Sequence, residues 1–174
     1  MSTLEVNSIQ PLSSGTTVTL GASGKTFTIP AGCTISNSGT ASGFGKIGQV
    51  IQTQTTAYGS VTATSWTKIH TDFDTTITPS ATSSKILVSI TAGIYPNNGH
   101  LTLYRGGSNL LTDKGYVRMY TNNDTGVTDS YSFLDSPNTT SATTYSWYAK
   151  MVSGTFYYNN DVTTGTMTLM EVLA

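Results

Sequence analysis

Apolar residues fall along this chain in two rhythms. Over residues 1–44 they are sparse and come as short alternating pairs, Leu4 with Val6, Val18 with Leu20, Phe27 with Ile29, and Cys33 with Ile35. A period of two is the signature of a strand. Each later pair is closed by turn-forming sequence, "GASG" after Leu20, "PAG" after Ile29 and "SNSG" after Ile35, so the segment predicts a repeating array of very short strands. Ordering so polar a stretch costs more backbone entropy than its few apolar side chains return on burial. It is therefore expected to be ordered only where other chains cover it and pair with its strand edges. Three copies wound in parallel around one axis would do both; a flexible tail is the other reading.

After "GFGKIG" the rhythm becomes dense and aromatic. Candidate strands are "QVIQTQ" from Gln49, "SWTKIHTDF" from Ser65, "TTITP" from Thr75, "KILVSITAGIY" from Lys85 and "HLTLYR" from His100. They continue with "GYVRMYT" from Gly115, "DSYSFLD" from Asp129, "TTYSWYAKMV" from Thr143, "GTFYY" from Gly154 and "GTMTLMEVL" from Gly165. The breaks between them, "PNNG", "RGGSN", "NNDTG", "SPNTT" and "NNDVTTG", are turn chemistry, and no segment has the period of a helix. The expected fold is all-β: a short N-terminal β stalk or arm over 1–44, then a C-terminal antiparallel sandwich over 45–174. Alternation puts Tyr145, Trp147, Ala149 and Met151 on one face of their strand. In the last strand Met167, Leu169 and Glu171 share one face, and Thr168, Met170 and Val172 the other. Apolar groups on both faces suit a strand covered by its own core on one side and by a neighbouring subunit on the other, or one enclosed within a monomer.

Composition narrows the function more than it narrows the fold. Only 10 % of the 174 residues are charged, the net charge is -1, and Ser, Thr, Asn and Gly fill the space. A basic stripe for phosphate backbones is missing, so nucleic acid is not an expected partner. No apolar run is long enough to cross a bilayer, and "MSTLEVNSIQ" lacks the basic and apolar regions of a signal peptide, so membrane insertion is not expected and assembly in a cytoplasm is. The lone cysteine, Cys33, cannot form an intrachain disulfide.

Chemistry has few candidates. His70 and His100 stand in predicted strands or at their edges without a positioned neighbour, and no nucleophile elbow, zinc motif or phosphate loop occurs. The expectation is a protein that is not an enzyme and has no cofactor. Asp124, Asp135 and Asp161 are oxygen donors in loops, but none has the spacing of a calcium loop, so no metal is expected either. Aromatic residues beside Asn- and Gly-rich loops suit saccharide recognition as well as cores and interfaces. Should a receptor or glycan be bound, loop tips at Asn97, Asn98, Asn122, Asn123, Asn159 and Asn160 are where it is expected.

Taken together, the opening "STLEVNSIQ", the phrase "TVTLGASGKTFTIPAGCTISNSGTASGFG", the segment "ITPSATSSKILV" and the ending "TLMEVLA" resemble small fibre and tail-fibre-like proteins of tailed bacteriophages, especially those of marine and cyanobacterial hosts. In strand order and ending the second half is also similar to the trimeric jelly roll of the complement globular-head and tumour-necrosis-factor-like superfamily. The resemblance implies a homotrimer on the virion surface, anchored to other virion proteins through Leu4, Val6 and Ile9 and pointing a jelly-roll head outward for host attachment. With the last strand near the trimer axis, Tyr145, Trp147, Met167, Leu169 and Val172 would form the interface. At 174 residues the chain is short for a long tail fibre, which keeps open a capsid decoration or head-fibre protein of the same build. A free carbohydrate-binding module is the reading from a different class.

Overall fold

The computed structural model describes residues 9, 17–18, 23–24, 26, 28–33, 47–120, 126–160 and 163–173. The chain divides into two units, Met1–Phe44 and Gly45–Ala174. In the first, the described residues make turns around Gly24 and Gly32, whose positive φ angles of 74° and 84° only glycine adopts readily. Ile9, Val18 and Ile29 are exposed. Most of the expected short strands, with Leu4 and Val6, lie outside the described residues.

The second unit is all-β, with two antiparallel sheets packed face to face and, among the described residues, no α-helix. Its strands are β1 (Ile47–Thr55), β2 (Gly59–Val61), β3 (Thr67–Lys68), β4 (Thr75–Ile77), β5 (Lys85–Tyr95) and β6 (Asn98–Arg105). They continue as β7 (Ser108–Asn109), β8 (Val117–Met119), β9 (Val127–Asp135), β10 (Thr143–Ser153), β11 (Phe156–Tyr158) and β12 (Gly165–Val172). The long expected strand from Ser65 is reduced to β3 and a 3-10 turn, Thr71–Phe73. His70 caps that turn, its Nδ1 accepting from the Asp72 N–H at 3.1 Å, and Phe73 is driven inward.

β5 is the spine of the first sheet. One of its edges carries β9 along its length, and the other carries β12 and then β11. β1 lies outside β12, and β2 outside β11. In the second sheet β10 is flanked by β4 and β3 on one edge and by β6 on the other, and β6 in turn pairs with β7 and β8.

Alternation builds the core as the sequence predicts. Ile86, Val88, Ile90, Ala92 and Ile94 of β5, with Met167 and Leu169 of β12, face Tyr145, Trp147, Ala149 and Met151 of β10 and Leu101 and Leu103 of β6. Each large apolar side chain so buried contributes about 1.5–3 kcal/mol. Trp147 sits at the centre, edge-on to Phe73 at 5.4 Å and to Phe156 at 5.9 Å between ring centroids.

Polar clamps close the sandwich at one end, here the proximal pole, where Ile47 pairs with Val172. Arg105 Nη1 grips both oxygens of the buried Asp135 at 2.9 and 2.7 Å, and the Tyr145 hydroxyl donates to the same carboxylate at 2.6 Å. This joins β6 and β10 to β9 across the two sheets. Nearby, the buried Glu171 accepts from Gln49 Nε2 at 2.7 Å and from the Ser80 N–H and hydroxyl at 2.6 and 2.7 Å. Burial alone would raise its pKa, but these donors hold it down at about 2.

Candidate functional site

At the opposite, distal pole the turns β5–β6 and β10–β11 and the segments after β1 and β11 come together. They enclose a cleft of about 410 Å³, lined by Tyr58, Tyr95, Asn97, Gly154, Thr155, Tyr157 and Asn160. That volume is within the range of small-ligand sites, about 300–1,000 Å³. A second hollow of about 210 Å³ adjoins it and shares Tyr95 and Asn160.

The fold sets each of these side chains. Tyr95 and Tyr157 are register partners on β5 and β11, and since Ile94 and Tyr158 beside them are buried, both point to the outer face of the first sheet. Tyr58 comes from the segment between β1 and β2. Asn159 holds that segment: its Nδ2 donates to the carbonyls of Thr55 and Ala57, both at 3.1 Å, and its own N–H bonds Gly93 O at 2.8 Å. To do this Asn159 adopts a positive φ of 49°, a conformation asparagine tolerates better than most residues. The rings of Tyr58 and Tyr157 are parallel to within 2°, with centroids 6.4 Å apart. Across the cleft, Asn97 Nδ2 donates to Thr155 O at 2.9 Å. Gly154 (φ 77°) makes room for it, since a Cβ there would stand 2.8 Å from Asn97 Cγ.

The polar groups of the cleft are largely unspent. Tyrosines that hold the fold use their hydroxyls internally, Tyr116 on Ser132 O, Tyr131 on Asp129 and Tyr145 on Asp135. Burial first, and then the bonded carboxylate, push the pKa values of Tyr131 and Tyr145 well up, so both stay neutral donors. By contrast, the hydroxyls of Tyr58, Tyr95 and Tyr157 and the side-chain amide of Asn160 make no hydrogen bond among the described residues. None of the described residues lining the cleft carries a charge.

Several expected site residues are placed differently. Tyr145, Trp147, Met167 and Leu169 are at most 2 % exposed within a single head, so they build its core and cannot also meet a partner. Their strands do carry an outward face, but alternate residues occupy it. Of the expected interface set only Val172, half-buried beside Ile47 and Lys85, lies on that face. Asn97 and Asn160 do line the cleft. Asn98 opens β6 opposite Ser153, and Asn159 is fully buried, a fastener of the loop and not a loop tip. Asn122 and Asn123, like Leu4 and Val6, lie outside the described residues, and Ile9 is exposed. Tyr58 was missing from the expected set, and its signal was the phrase "AYGS" after β1, where an aromatic residue precedes glycine.

Other surfaces hold less chemistry. His70 is spent on its cap, and Asp135 on Arg105 and Tyr145. Among the described residues no three His, Cys, Asp or Glu side chains group as metal ligands. A small interior hollow near Trp147 is lined by Ile90, Leu103 and Phe133 and belongs to the core. No protein-family model and no curated protein sequence matches the chain.

Proposed function

We propose that the chain is a structural protein of a tailed-bacteriophage virion, a homotrimeric surface fibre anchored by residues 1–44 and presenting its β head for attachment to the host. The observation that carries self-association is the outer face of the first sheet. Val50, Met170, Leu87 and Leu134 are successive register partners, forming an apolar row across all four strands. Val50 and Leu134 are 55 % and 48 % exposed in the single chain. The next rows are Gln52–Thr168–Ser89–Ser132 and Gln54–Thr166–Thr91–Ser130, bridged by hydroxyl hydrogen bonds such as Ser89–Ser132 and Thr91–Ser130, both at 2.9 Å. Lys85 is the one charge on this face among the described residues. Rows of apolar and hydroxyl side chains with a single charge at one end suit a partner of the same kind, because hydroxyls both donate and accept.

The strand orders β1-β12-β5-β9 and β4-β10-β6-β8 support a jelly-roll reading, with first and last strands side by side. The distal cleft favours adhesion, since it lies at the end of the head remote from Ile47. A capsid decoration or head-fibre protein would share all of this and differ only in what it docks to.

Light scattering after size exclusion tests the assembly. The expected mass is three times the 18.4 kDa chain. A monomer would overturn the fibre reading and leave a free carbohydrate-binding module, which the aromatic cleft alone favours. Deletion of residues 1–44 is expected to leave a folded head that no longer enters virions.

A further inference from the structure

We propose that the distal cleft is a saccharide site, in which Tyr58 and Tyr157 stack on the apolar face of a neutral pyranose and Asn97, Asn160 and Tyr95 take its hydroxyls. The assignment rests on the adhesive reading of the head and names the ligand of that adhesion.

A pyranose has two kinds of surface. Its C–H faces are apolar and weakly positive, and match the negative face of an aromatic ring; its rim is a ring of hydroxyls that each donate and accept. The cleft offers both. The Tyr58 and Tyr157 planes are parallel, so a ring lying against one is also parallel to the other. Tyr58 is 55 % exposed, so its ring face is open to a ligand. Asn97 has spent its Nδ2 on Thr155 and keeps its amide oxygen as an acceptor, while Asn160 spends neither end of its amide among the described residues. The three unspent tyrosine hydroxyls add groups that can donate or accept.

Charge decides against other ligands. An acidic sugar or a phosphate calls for arginine or lysine, and none of the described residues lining the cleft is either. A wholly apolar ligand would leave the Asn amides and tyrosine hydroxyls unpaired. The adjoining hollow, reached past Tyr95 and Asn160 and lined also by Thr128 and Thr163, gives room for a second sugar unit, so an oligosaccharide fits better than a monosaccharide.

The pair Tyr104–Tyr148 provides an internal control. These rings stack face to face at 3.8 Å on the outer side of the second sheet, each already covering the other. They are not expected to take a sugar.

The test is binding of the full chain to an array of neutral oligosaccharides of hexoses and N-acetylhexosamines, printed beside uronic-acid and sialylated counterparts and unrelated peptides. Binding is expected on neutral glycans, weakened about tenfold or more by Tyr58→Ala or Tyr157→Ala. It should be retained by Tyr58→Phe, which keeps the ring, and unchanged by Tyr148→Ala. Asn160→Ala, at a side chain that makes no hydrogen bond among the described residues, should weaken it with the core untouched. Binding confined to acidic glycans or to peptides would overturn the ligand class. Neutral-glycan binding that survives both tyrosine truncations would overturn the site but leave the head adhesive. Absence of binding to every printed ligand would overturn the site and the adhesive reading together, while the light-scattering mass separately decides the trimer.

Discussion

The two sheets of the head alternate in the same way, yet their outward faces are made of different residues. On the second sheet, Lys68, Lys150 and Arg118 stand outward among Thr76, Thr144, Tyr148 and His100. Their charges are met on the spot: Lys68 by Asp74 at 2.6 Å, Lys150 by Asp113 and by the Trp66 ring at 4.7 Å, and Arg118 by the Tyr120 ring at 5.7 Å. The first sheet instead shows an apolar row near the proximal pole, two hydroxyl rows in the middle and a tyrosine cluster at the distal pole. A face that solvates its own charges is finished in water. One that carries Val50, Leu87, Met170 and Leu134 across its full width gains by being covered.

Experiments can set these faces against each other and against the core between them. The largest effect is expected from Leu169→Asp, which puts a carboxylate at a fully buried position of β12 without a partner. Roughly 3–5 kcal/mol or more of stability should be lost, and denaturant unfolding should show a molten or unfolded head, not a folded monomer. Acid comes next. Glu171 binds its proton less readily folded, with a pKa of about 2, than unfolded, where the ordinary value is 4.5. The stabilisation is complete above about pH 4.5 and lost as the pH falls towards 2, about 3 kcal/mol in all. Glu171→Gln should flatten that part of the pH–stability curve measured by urea unfolding.

Leu134→Asp should cost the single head less than about 1 kcal/mol, since the side chain is half exposed, yet shift the light-scattering mass towards the monomer. Thr144→Asp, outward on β10, should leave that mass unchanged. If both behave alike, the contrast between the faces has no bearing on assembly. Smallest of all is Lys68→Ala, which breaks a partly exposed ion pair and should change the unfolding free energy by about 1 kcal/mol or less.

How far all this was legible in the sequence depends on the length of the pattern. β5, β10 and β12 are eight residues or longer, and their alternation fixed both their extent and their inward faces, Tyr145 and Trp147 included. β2 and β7, three and two residues long, escaped notice because they lie in Gly- and Ser-rich phrases, "AYGSV" and "RGGSN", that read as connections. "SWTKIHTDF" looked like one strand because Ile69 and Phe73 are both buried, although a turn carries Phe73 inward. The asparagines were harder. Asn159 and Asn160 are neighbours in one loop-like phrase, yet one is a fully buried fastener and the other lines the cleft, a difference set by the carbonyls of Thr55 and Ala57 about a hundred residues away. Tyr145, Trp147, Met167 and Leu169 went to the core and not to an interface for a related reason: periodicity tells which residues share a face, but not whether that face meets the chain's own second sheet or another chain.

The course of β1 has a mechanical meaning. It runs the length of the head from Ile47 at the proximal pole to the segment bearing Tyr58, and it is paired along the way to β12, from Val172 to Gly165. In a head tethered at Ile47 and holding a ligand against Tyr157, tension would pass from β11 through β5 and β12 to β1, along the strand axes and across bonds that lie perpendicular to them. The β1–β12 ladder would then be loaded in shear, its bonds sharing the force together instead of being peeled apart one after another.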